Sequence, residues 1–279
     1  MSHATTPDEE LARSLPLPLA QLYRRAHNAK TAGDRHDHAF YLAEAALKLA
    51  ACLRIGAAIQ AGLEPGSPLA RSLEALCLPS LGHWLGFLRD ASEYLRRRPD
   101  AALLPLAGAH EALSRSEALP AVRAFAERAA RGDPGENPPL APEQARAAAR
   151  QGILGFFGLM TTYRNVVFGH GGKRTAAYYE ELGPLLLAAV GEVLRQDCLF
   201  GGLTLAVARL APADEGRAVR LAWQGLRGPA SLALAPEAAG PEPDPAGDAA
   251  RAAAGNGRAA QPRAFRCVFF DRTCLRIGL

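Results

Sequence analysis

Aromatic residues are scarce in this 279-residue chain, at 6%, so its core must come mainly from aliphatic packing rather than large rings. Lysine is rarer still, occurring only at Lys30, Lys48 and Lys173, which leaves arginine to carry nearly all the positive charge. The accompanying excess of Ala, Gly and Pro marks that bias as compositional, of the kind a GC-rich genome produces. Paired cysteines are missing: Cys52, Cys77, Cys198, Cys267 and Cys274 are odd in number and form no CxxC pair. That pattern excludes a disulfide frame, offers no ligand cluster for zinc, and reads as reduced thiols in a cytoplasmic protein. No apolar run reaches the ~20 residues of a membrane span, and the polar, acidic N-terminus is no signal peptide. The expectation is a soluble cytoplasmic protein with no membrane partner, no metal and no cofactor.

What is present is a globular composition, 49% hydrophobic and 22% charged, with Ala and Leu dominant, which favours helices. The net charge of +4 permits a nucleic-acid partner without arguing for one. Helical spacing predicts segments at residues 19–32, 34–61, 67–77, 80–98, 100–117, 120–131, 142–168 and 175–200, with a Gly/Pro-rich loop at 132–139. The character changes near residue 200. Alternating strands follow at 203–210, 218–226 and 231–234, then a Pro/Ala/Gly-rich linker over 236–262 and a hairpin from 265–270 and 274–279. The fold class is therefore mainly α: a helical bundle over 1–200, short strands over 201–235, the linker at 236–262, and a β-hairpin over 263–279. The chain stops on apolar residues, as the opening of a truncated second domain would.

The motif that carries chemistry is the turn Tyr163-Arg164-Asn165-Val166-Val167-Phe168-Gly169-His170-Gly171-Gly172, set between the last two long helices. Arg and His at that spacing arise by chance about twice in such a composition, and requiring Asn after Arg lowers this to roughly 0.03. The segment resembles the signature of HEPN domains, in which Arg, usually followed by a polar residue, precedes His by four to six intervening residues. Here there are five. The resemblance implies a helical bundle, a metal-independent endoribonuclease of the kind found in toxin–antitoxin and antiviral defence systems, and a homodimer that sets two motifs face to face. It implies Arg164, His170 and Asn165 as catalytic residues. Around them, Tyr163, Lys173 and Arg174 are read as binding the RNA substrate, and Glu44, central in the second long helix, as a supporting acid. An imidazole suits proton transfer near neutral pH, and an Arg fork holds phosphate. The second reading is a non-catalytic helical module for dimerisation or docking of a protein partner in a larger signalling or defence protein.

Other features read more plainly. His27, His36 and His38 lie with Asp34 and Asp37 at a solvated, charged helix start. Glu44 and Lys48 are spaced for an i,i+4 surface pair. The run Arg96-Arg97-Arg98 suits a helix C-terminus. Phe156, Phe157 and Met160 are candidates for a dimer face.

Overall fold

In the computed structural model, Asp8 starts the first helix by accepting from the amides of Glu10 and Leu11, both at 3.0 Å. This opens α1 (Glu9–Ser14), and Pro18 lies in the first turn of α2 (Leu17–His27). Thr31 Oγ1 accepts from Asp34 N at 3.1 Å and caps α3 (Ala32–Gln60). Ser67 caps α4 (Pro68–Ser72), which tightens into a 3-10 turn over Leu73–Cys77. Ser80 and His83 cap α5 (Leu81–Arg96) reciprocally, side chain to backbone. Next come α6 (Pro120–Arg131), α7 (Pro142–Arg150), α8 (Gly152–Val167) and α9 (Ala176–Leu194), the last capped by Thr175. Three antiparallel strands, β1 (Ala206–Pro212), β2 (Val219–Arg227) and β3 (Ala230–Ala233), form one sheet, and β4 (Val268–Phe270) pairs with β5 (Leu275–Ile277). The structure describes residues 7–98, 112–113, 119–131, 140–167, 174–200, 205–212, 219–228, 230–233, 268–270 and 275–277. The expected helix over 100–117, apart from 112–113, and the expected loop and linker at 132–139 and 236–262 lie outside them.

The protein is mainly helical, and its axis is α3. Ala39, Phe40, Leu42, Ala43, Ala46 and Leu47 are buried on one half of that helix's circumference, because each residue turns it by about 100°, while from Leu49 to Ala58 buried positions fall on all sides. Asp34, Asp37, Tyr41, Glu44 and Lys48 form a polar stripe along its first half, and its second half is enclosed. Here α2, α5, α8 and α9 pack on it, while α6 packs on α9, α7 on α6, and α8 on both α7 and α5. Buried polar groups brace the assembly. Arg54 is fully buried and donates to the carbonyls of Ala50, Leu199 and Cys198 at 3.1, 3.0 and 2.5 Å, tying α3 to the chain that leaves α9. Burial pulls its guanidinium down to about 10. The Glu192 carboxylate of α9 accepts from the amides of Ala121 and Val122, supplying the N-terminus of α6 with acceptors.

Some boundaries differ from the patterned expectation. The predicted helix over 142–168 is two helices, because Gly152 takes φ +58°, a left-handed conformation that breaks α7 from α8. The second long helix is capped by Thr31 rather than Asp34, and a short helix precedes α2 that the acidic start conceals. The end of β2 reaches the bundle: Gly228 N donates to Leu15 O at 2.8 Å, and Arg227 pairs with Pro16. Among the described residues, no helix is long and apolar enough to cross a membrane.

Two glycines should respond to substitution with opposite signs. A Cβ on Gly183 in α9 would sit 3.3 Å from the Ala32 carbonyl oxygen and 3.6 Å from His36 N, whereas one on Gly86 in α5 would meet nothing within 4 Å. Gly183→Val should therefore lower stability by about 1–3 kcal/mol through overpacking. Gly86→Ala should raise it by about 0.5–1 kcal/mol through helix propensity. Urea unfolding midpoints read both, and equal shifts would contradict the close approach of α9 to α3.

Candidate functional site

The C-terminal half of α8 sorts its side chains by phase. Ile153, Phe156, Phe157, Met160, Tyr163 and Val167 follow helical spacing and are all buried. Arg164 and Asn165 follow Tyr163 around the helix and are exposed. The buried stripe belongs to the core of a single chain. Phe156, Phe157 and Met160 are thus unavailable as a dimer face, contrary to the expectation from sequence. Tyr163 likewise lies fully inside, so it touches no substrate in this arrangement, and its expected role as a binding residue is corrected.

The Tyr163 hydroxyl instead lies 2.7 Å from His36 Nε2 and 2.9 Å from the Tyr178 hydroxyl. His36 has no exposed surface, which overturns the reading of it as part of a solvated helix start. Its Nδ1 lies 3.1 Å from Asp37 Oδ1. A carboxylate only accepts, so in the neutral imidazole Nδ1 carries the proton and Nε2 presents a lone pair. Tyr163 then donates to His36, and Tyr178 donates to Tyr163. One chain of hydrogen bonds joins α3, α8 and α9. Phe125 of α6 meets the Tyr163 ring edge-on at 5.4 Å and completes the wall. Burial pushes the Tyr163 phenol well above its ordinary value and Tyr178 up to about 12.

The signal for His36 is present in the sequence. It shares a helical face with Phe40, Ala43 and Leu47, at spacings of four, seven and eleven. Reading the three histidines together by composition hid that periodicity.

Arg164 ends α8 with its guanidinium in solvent and has no hydrogen-bond or ion-pair partner among the described residues. The negative end of the α8 dipole favours a cation there. Across the turn, Arg174 precedes α9. Its guanidinium lies 5.7 Å from the centre of the Tyr178 ring, and its amide donates to the Tyr179 hydroxyl at 3.2 Å. Arg128 of α6 lies 5.9 Å from the same ring and pairs with Glu181. Two arginines, Arg128 of α6 and Arg174 just before α9, thus meet over the Tyr178 ring. Glu44 is engaged elsewhere: it bonds Lys48 at 2.5 Å, the i,i+4 pair, rather than Arg164. His170 and Lys173 lie outside the described residues. No protein-family model matches the chain, and no curated protein or solved structure is significantly similar to it.

Adjacent residues should behave differently on substitution. Tyr163→Phe leaves His36 Nε2 and the Tyr178 hydroxyl without their partner and should cost about 2 kcal/mol in urea unfolding. Arg164→Ala should change stability by no more than about 0.5 kcal/mol. If Tyr163→Phe is as stable as wild type, the hydrogen-bond chain does not exist.

The two raised phenols also set a pH dependence. Their protonated forms are favoured in the fold, so this stability is complete below the unfolded phenol value of about 10. It declines from there as pH rises through about 12, the value of folded Tyr178. The decline in Tm over that alkaline range should be shallower when both tyrosines are Phe. Parallel curves would show that neither phenol is buried as described.

Proposed function

We propose that this chain is a HEPN-like, metal-independent endoribonuclease that acts as a homodimer. The supporting observation is the state of Arg164. It follows a buried, hydrogen-bonded tyrosine, yet Arg164 itself is exposed and has no partner among the described residues, as suits a phosphate ligand before substrate arrives. The Arg-Asn-x4-His motif in the sequence supplies the rest.

RNA brings its own nucleophile. The ribose 2′-oxygen attacks the adjacent phosphorus while its proton passes to a His170 imidazole. The bond from phosphorus to the 5′-oxygen then breaks, and that oxygen takes a proton. The products are a 2′,3′-cyclic phosphate and a free 5′-hydroxyl. A dimer provides two His170 side chains, one to act as base and one as acid. Arg164 neutralises the charge that builds on the non-bridging oxygens, and Asn165, exposed beside it, donates a further hydrogen bond. Arg174, with Lys173 before it in the sequence, draws the RNA backbone.

Purified protein should cut mixed-sequence RNA in the presence of a chelator and leave cyclic phosphate ends. Arg164→Ala and His170→Ala should each lower cleavage by about a hundredfold or more while the helical circular dichroism stays unchanged. If both variants cut RNA at the wild-type rate, this function is wrong.

A further inference from the structure

We propose that His36 is a positioning residue for this site: through Tyr163 and Tyr178 it fixes the two helix ends that carry Arg164 and Arg174. The inference rests on the ribonuclease reading of that site and concerns how its geometry is kept.

Three polar side chains sit together in a mainly apolar core, where Leu or Phe would fill the space with no hydroxyl to satisfy. Their hydrogen bonds join elements distant in sequence, since His36 and Tyr163 are 127 residues apart. Hydrogen bonds add what apolar packing lacks, a fixed direction and length.

The placement of the two arginines follows from this. Tyr163 directly precedes Arg164, so locking the Tyr163 ring fixes the phase and height at which Arg164 leaves α8. Tyr178 stands four residues after Arg174 and bears its guanidinium over the ring at 5.7 Å. The Tyr163–Tyr178 bond of 2.9 Å therefore couples the two ends of the turn, and His36 anchors that couple to α3. Gly183 makes this reach feasible: without a side chain, it lets α9 come down onto Ala32 and His36. A shift of either helix end would change the span between the two cations, and with it the fit to a phosphodiester.

The test compares Tyr163→Phe with wild type well below both unfolding midpoints. Amide hydrogen exchange should quicken by about tenfold or more over residues 163–167 and 176–180, but by less than about twofold over 50–58 around Arg54. With a mixed-sequence RNA substrate, kcat should fall by about tenfold while KM stays within about twofold. Tyr178→Phe keeps the Tyr163–His36 bond and should show the same pattern at smaller size, which serves if Tyr163→Phe does not fold. Equal exchange changes in the two regions overturn the positioning role, and so does an unchanged kcat. If the wild type cuts no RNA, the ribonuclease reading fails, and the exchange comparison still decides whether His36 and its tyrosines fix the helix ends.

Discussion

The hydrogen bond between Tyr163 and His36, 2.7 Å long and sealed from solvent, is the contact on which one end of the bundle depends. A buried imidazole and a buried phenol each cost free energy unless paired, and here each satisfies the other. Tyr178 extends the pair to α9 and Asp37 extends it to the surface. Apolar packing has no fixed direction, so it specifies the height of α3 against α8 and α9 less sharply than a hydrogen bond does. A directional bond removes that freedom at small net cost.

The other end of α3 is held in a different way. Arg54 lies eighteen residues on, about 27 Å along the helix axis. It bonds backbone carbonyls of the chain leaving α9 rather than a carboxylate. Its guanidinium supplies donors to carbonyls in the turn that follows α9. The axial helix is thus tied to α9 at its start through side chains, and near its end to backbone carbonyls of the turn that follows α9. The candidate site sits at the side-chain end, where a single hydroxyl can alter geometry without unravelling the bundle.

Much of this architecture was legible in the sequence because helix signals are local. Ser67, Ser80, Thr175 and the prolines at 120 and 142 each mark a start through capping or the fixed φ of proline. The break at Gly152 was hidden because the apolar pattern runs through it, and only the backbone dihedral shows that the helix stops. For the site, the phase of α8 could have told that Tyr163 faces inward, since it continues the stripe of Phe156 and Met160. The Arg-Asn-x4-His pattern drew it outward by adjacency instead. The partnership of His36 with Tyr163 could not be read, because it links residues far apart in the chain and depends on the absence of a side chain at Gly183. Glu44 illustrates the opposite case, where the ordinary i,i+4 pairing with Lys48 outweighs a longer-range role.

The polarity of the buried chain offers the most direct check. Long-range proton–nitrogen correlation of the imidazoles reports which nitrogen of His36 bears the proton, with His36→Gln identifying its signals. The structure requires a protonated Nδ1 facing Asp37 and a bare Nε2 accepting from Tyr163. A proton found on Nε2 would reverse the chain, leave Tyr163 donating toward Tyr178 rather than His36, and contradict the account.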